Sequence, residues 1–376
     1  MNARSRRLSS PLRRCAIAAA IPFALVSVGC DTPPDSPTPR PTEEPALPVS
    51  VAEPSAEPGP AEGDASPANA DRTDGLVEFG DAAYVGRDRC QSCHEGNHAT
   101  YLHTGMGRSF YEMTPDRIIE DWTDDNEFVD PRTGVRYRMV ERDGNFFQQQ
   151  FVLDAAGKPL AFDEKRLTYA VGSANHSRGY IVREDDGGLF QAPVCWDPTN
   201  SFWMFCPGFE TKNDNFTRET SYTCQFCHNG RVEPVPGTRN RYEEPMTLGI
   251  GCERCHGPGE KHIAFRENPE NFWAEAGHPD DPVVNPRRLS SEARMQVCFQ
   301  CHLGDTAATV RVFRHGRSLA DFRPGMEIGE VLVPFRYSEP SQWDFSLVAQ
   351  ADRMLLSRCW TESGGKLECL TCHNPH

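Results

Sequence analysis

Five times along this chain, two cysteines stand two residues apart with a histidine directly after the second. The sites are Cys90, Cys93 and His94; Cys224, Cys227 and His228; Cys252, Cys255 and His256; Cys298, Cys301 and His302; and Cys369, Cys372 and His373. Two thiols at this spacing can bond the two vinyl groups on one edge of a haem, and the adjoining histidine then reaches the iron from one face. Thioredoxin-like pairs and zinc half-sites also use Cys-x-x-Cys, but neither requires that histidine, and a redox pair does not recur five times. The motifs therefore predict five covalently attached haems c, with His94, His228, His256, His302 and His373 as iron ligands. Covalent attachment holds a cofactor without a large apolar pocket, so a loop-rich chain can carry many.

The sixth iron ligands must come from elsewhere. Seven histidines lie outside the motifs: His98, His103, His176, His262, His278, His315 and His376. Five irons need up to five of them, so bis-histidine ligation throughout is compatible with the count; any one of the seven could instead be a surface histidine. His262 follows His256 across the turn Gly257-Pro258-Gly259, which directs it to a neighbouring haem rather than its own. His376 follows His373 across Asn374-Pro375, too near to cap the opposite face of the same iron, so it also serves a neighbour. His103 lies one or two helical turns past the first motif. His176 sits in the turn-like stretch Gly172-Ser173-Ala174-Asn175. His315 ranks next, then His98 and His278. Methionine is the usual alternative ligand and raises the potential; Met106, beside His103, is the one to watch. Of the remaining cysteines, Cys195 and Cys206 could close a disulfide around Trp196 and Trp203, and Cys359 reads as a small buried residue.

The elements that must position these groups are short. Pro (31) and Gly (30) are frequent in the 376 residues, which points to many turns and few long elements. Between Cys90 and Cys224 lies a gap of 134 residues, followed by gaps of 28, 46 and 71. The last four motifs thus cluster and the first stands apart. In the long gap, Val135–Val140 and Phe146–Leu153 read as strands around the hairpin turn Asp143-Gly144-Asn145. Thr168–Val171, Gly179–Arg183 and Leu189–Val194 add strands, with Asp185-Asp186-Gly187-Gly188 as a further turn. Ser290–Gln300 and Phe345–Ser357 read as helices leading toward motifs. The expected fold is mostly irregular and α-helical, a multihaem cytochrome domain over 79–376 with a small antiparallel β insertion at about 127–200 and a core built around stacked haems.

The N-terminus carries targeting information. Arg4, Arg6, Arg7, Arg13 and Arg14 precede a short apolar stretch from Ala16 to Val28, the pattern of a signal peptide. It ends in Val-Gly-Cys30, which resembles a lipoprotein signal in which Cys30 is lipidated; simple cleavage is the competing reading. Residues 31–78, rich in Pro, Ala and acidic residues, cannot offset their ordering entropy and read as a disordered tether. This places the protein in the periplasm or cell envelope, with a lipid anchor as its one link to a membrane. The net charge of −15 favours solubility and basic redox partners and gives no affinity for nucleic acid.

Several stretches resemble bacterial multihaem cytochromes of the cytochrome c554 family. They are Cys90-Gln-Ser-Cys-His94 followed by His103-Thr-Gly-Met-Gly-Arg-Ser-Phe110, Ile250-Gly-Cys-Glu-Arg-Cys-His-Gly-Pro-Gly259 with His262, and Ser363-Gly-Gly-Lys-Leu-Glu-Cys-Leu-Thr-Cys-His-Asn-Pro-His376. The resemblance spans roughly 84–376. It implies closely packed haem pairs, mostly bis-histidine iron, distal ligation at the positions of His103, His262 and His376, and electron transfer in the periplasm. Its namesake carries four haems, so the fifth motif and the β insertion depart from it.

Two functions of different class follow. One is electron transfer to redox protein partners, either other cytochromes or a membrane quinol oxidoreductase. The other is an oxidoreductase acting on a small nitrogen or sulfur compound at one haem with an open distal site, served by Arg108, Arg178 or Tyr180. A haem-based sensor or scaffold module is a third, more remote, reading.

Overall fold

The computed structural model describes residues 77–304, 309–336 and 349–376. The signal stretch, Cys30 and nearly all of the tether lie outside the described residues. Those described fall within one compact unit.

The chain enters through two short helices, α1 (Asp88–Gln91) and α2 (Glu95–Tyr101), which bracket the first motif. Ten strands follow: β1 (Phe110–Glu112), β2 (Glu127–Val129), β3 (Arg136–Arg142), β4 (Asn145–Leu153), β5 (Pro159–Val171), β6 (Gly179–Arg183), β7 (Leu189–Gln191), β8 (Val194–Asp197), β9 (Phe202–Phe205) and β10 (Arg218–Glu219). Helices α3 (Tyr222–His228), α4 (Glu253–His256), α5 (Glu260–Glu267) and α6 (Ser291–His302) come next. The ribbon β11 (Thr309–Phe313) and β12 (Leu332–Arg336) precedes α7 (Gln350–Leu356), α8 (Arg358–Glu362) and α9 (Cys369–Cys372).

Eight strands form one sheet in the order β10-β7-β6-β5-β4-β3-β2, with β1 also on β5, all neighbours antiparallel. The β3–β4 hairpin turns at Asp143 and Gly144, both at positive φ (52° and 72°), as a two-residue turn that matches the twist of the strands requires. In β3, Tyr137 and Met139 point inward while Arg138 points out, the period of two of a half-buried strand. The hairpin β8–β9 packs Trp196 and Trp203 onto the sheet, where they meet Trp122, Tyr137 and Tyr180 in one core. Gln148 inside this core exchanges two hydrogen bonds with Val194, both 3.1 Å, so its buried amide is satisfied.

The sheet is larger than the sequence reading expects. It runs over 110–219 rather than 127–200, and β5 extends back to Pro159. The early half of β5 is exposed, with Leu160 at 70% and Phe162 at 59%, so no inward–outward alternation marks it. The stretch Leu189–Val194 divides into β7 and β8, which join different sheets. Helix α6 matches its expected range closely, and Ser290 caps it by accepting from Ala293 N–H. The expected helix at 345–357 shortens to α7; residues 345–348 lie outside the described ones.

Candidate haem-binding site

The motifs lie on helical turns: α3 carries the second, α4 the third, α6 the fourth and α9 the fifth, while the first begins in α1 at Cys90 and ends just before α2, with His94 N–H donating to Cys90 C=O at 3.0 Å. A helical turn brings residues three and four apart onto one face, so both thiols and the histidine of a motif point the same way. The motifs are then held against one another by polar ties. Glu253, inside the third motif and 7% exposed, accepts from Val85 N–H (2.8 Å), Gly86 N–H (2.9 Å) and Gly259 N–H (2.8 Å). This fixes the segment entering the first motif to the turn leaving the third. At that turn Gly257 has φ 85°, and a Cβ there would overlap the Phe79 ring at 2.1 Å. Arg254 stacks over Phe226 of the second motif at 3.7 Å and donates to Gly230 C=O. Gln300, in the fourth motif, donates to Arg254 C=O at 3.0 Å.

These ties enclose a cavity of about 3190 Å³. Ordinary small-ligand pockets hold roughly 300–1,000 Å³. All five motif histidines line it, as does every motif cysteine except Cys224. Thiols of different motifs lie side by side across it: Cys90 with Cys252, Cys227 with Cys301 and Cys298 with Cys369. Within these pairs the contact lowers the pKa of Cys252 and Cys369 and raises that of Cys90 and Cys298.

Two pairs of imidazoles face each other in this space. His94 and His262 have ring centres 6.4 Å apart and planes 18° from parallel. His256 and His376 are 6.0 Å apart at 26°. A metal–imidazole bond is about 2.0 Å and a ring nitrogen lies about 1.1 Å from its ring centre, so two rings on opposite faces of one metal sit about 6 Å apart. Both pairs have the separation an iron between them needs. In each, the facing histidine comes from a different motif's neighbourhood: His262 leaves the third motif and faces the first, and His376 leaves the fifth and faces the third. Burial pushes the pKa of His94 down, with His262 and Arg266 adding to it; burial likewise lowers His256 and His228. A neutral imidazole is the form that ligates metal.

Among the other candidates, His98, His176 and His278 and also Met106 line the cavity, whereas the exposed His103 and His315 do not. His98 is 7% exposed and its Nε2 makes no hydrogen bond; the Asp88 carboxylate is 3.7 Å away. Among the described residues, no ring faces His228, His302 or His373 as His262 faces His94. No group of three or more His, Cys, Asp or Glu among them is gathered to hold a bare metal ion. A covalently held haem needs no such cluster, so the cavity, the paired thiols and the facing rings fit it.

Two of the groups proposed for an open catalytic site are placed elsewhere. Arg178 and Tyr180 are fully buried in the sheet core, where Arg178 Nε lies 3.0 Å from Glu120 and Tyr180 O–H donates to the same carboxylate at 2.5 Å. Arg108 is exposed and does not line the cavity. Cys195 and Cys206 lie in contact as buried thiols, and Cys359 is exposed rather than buried. Sequence reasoning missed Asp281 and Val284, which hold His262 and His256 through their Nδ1 atoms. The run His278-Pro-Asp-Asp-Pro282, acidic residues in a stretch broken by prolines, is the one signal that could have drawn attention to that loop.

Residues 209–257 match the model of the family described as cytochrome c554 and c-prime. No curated protein matches. A solved structure, the outer cell wall cytochrome OcwA, is similar at 18% identity with a TM-score of 0.45, over 77% of this chain. The chain spans 56% of the length of that cytochrome. Among the described residues, no helix is long and apolar enough to cross a membrane.

Proposed function

We propose that this chain, a multihaem c-type cytochrome, carries five covalent haems stacked in one cavity and serves as an electron carrier of the periplasm or cell envelope. When bound, haem c supplies a one-electron iron couple at each motif. The observation that carries the reading is the single cavity lined by all five motif histidines. The thiol contacts and backbone ties support a contiguous order, with the first motif beside the third, the third beside the fourth, and the fourth beside both the second and the fifth. His94 with His262 and His256 with His376 act as axial pairs. His98, His176, His278 and Met106, which also line the cavity, are the remaining candidates, and His103 and His315 drop behind them. The partners are redox proteins, other cytochromes or a membrane quinol oxidoreductase, and Cys30 provides a lipid anchor.

The competing reading, an oxidoreductase on a small nitrogen or sulfur compound, draws on one observation: His228, His302 and His373 have no facing imidazole among the described residues. Low-temperature EPR of the oxidised, haem-loaded protein separates the two. Low-spin signals alone, unmoved by nitrite, hydroxylamine or sulfite, are expected of the carrier. A high-spin signal that shifts with one of them would assign catalysis to that iron.

A further inference from the structure

Two axial pairs sit side by side, and their outer hydrogen bonds differ in charge. His262 Nδ1 donates to Asp281 Oδ1 at 2.5 Å. The Asp281 side chain is fully buried. Its second oxygen accepts from Arg266 Nε at 2.8 Å and Nη2 at 2.6 Å. Arg266 lies one helical turn from His262 on α5, and its Nη1 reaches Ala274 C=O at 2.7 Å, which ties down the following loop. Three residues beyond Asp281, Val284 C=O accepts from His256 Nδ1 at 2.8 Å. One loop thus holds two imidazoles, one through a carboxylate and one through a neutral carbonyl.

The hydrogen bond at Nδ1 fixes the tautomer and leaves Nε2 free for a metal. It also sets ligand basicity, and a carboxylate raises it more than a carbonyl does. A more basic ligand stabilises ferric over ferrous iron and lowers the potential. Arg266 works against this by neutralising part of the carboxylate's charge.

We propose that Asp281, trimmed by Arg266, is a positioning residue that holds His262 as an axial ligand and lowers the potential of the haem at His94 relative to the haem at His256. This rests on the axial pairs assigned above. Asp281→Asn keeps an oxygen able to accept from Nδ1 and removes the charge. Arg266→Gln removes the opposing charge and leaves the carboxylate.

The test is an EPR-monitored redox titration of the haem-loaded protein, following the low-spin signal that disappears in His262→Ala. Asp281→Asn is expected to raise the midpoint of that signal by about 59 mV, a tenfold change in the ferric-to-ferrous ratio. Arg266→Gln is expected to lower it, and Asp281→Glu to return it toward the parent value. A residue that merely supports the fold would move both variants the same way. Unchanged midpoints, or shifts of the same sign, overturn the proposal. If Asp281→Asn does not fold, Arg266→Gln alone decides, a fall supporting it and no change overturning it. If His262→Ala leaves every haem low-spin, the axial pair itself fails, which is a separate result.

Discussion

Over residues 110–219 the chain fills its interior with its own side chains: Tyr137, Met139, Ala170 and Tyr180 are wholly buried, and Trp122, Trp196 and Trp203 pack edge to face around them. Around the motifs the chain does the reverse. Its helices are short, α6 being the longest described at 12 residues, and they surround a cavity beside a smaller core. Isolated helices of that length are marginal in water. One region is filled by its own apolar side chains, and the other leaves a space that the proposed haems would fill. The smaller core of Phe226, Met295, Phe299, Leu319 and Leu332 lies along one side of that space and backs the second and fourth motifs.

The two regions should differ most when the haems are withheld. In haem-free protein, hydrogen exchange is expected to show protected amides in β3 to β6, near-complete exchange in α4 and α9, and intermediate protection in α3 and α6, which share the smaller core. Equal protection in both regions would mean that the helices need no cofactor. A smaller effect tests the sheet's dependence on its own interior. Glu120→Ala leaves Arg178 buried without its partner and should cost about 3–5 kcal/mol, read as a lower urea midpoint. Replacing Glu120 and Arg178 together by apolar residues of similar volume should restore most of it. On the haem side, His376→Ala should leave the fold intact and convert one low-spin haem, that at His256, to high-spin. An unchanged EPR spectrum would remove His376 from the ligand set.

The smallest effect concerns acid. The Asp197 carboxylate accepts from the Asn200 side chain and from the N–H groups of Asn200 and Thr199, which holds its pKa below the ordinary value. Asp121 is lowered likewise by the N–H groups of Thr123 and Asp124. With folded values below the unfolded ones, both contribute stability above about pH 4 and lose it as pH falls through their folded values. Asp197→Asn should flatten part of that acid limb in a thermal-melt series of haem-free protein. An unaltered limb would assign it to other groups.

Much of this was legible because the chemistry is local. Attachment of a haem needs its two thiols and histidine within five residues, so the sequence displays each motif whole. The Asp143-Gly144 turn was legible for the same reason, since positive φ at adjacent positions selects those residue types. The crossing of His262 away from its own motif was signalled by Gly257-Pro258-Gly259. What was not legible depends on distant contacts. The exposed half of β5 has no alternation because solvent lies beside it. Arg178 and Tyr180 looked available because nothing near them in sequence announces Glu120, some sixty residues earlier. Asp281 lies 19 residues from the histidine it holds, and its role exists only once α5 and its loop have folded together.

The most direct measurement is the intact mass of the exported, haem-loaded chain, with haem content determined on the same sample. Five covalent haems per chain are expected, one for each motif around the shared cavity. A mass corresponding to four or fewer on fully matured protein would contradict the assignment of all five motifs to haem.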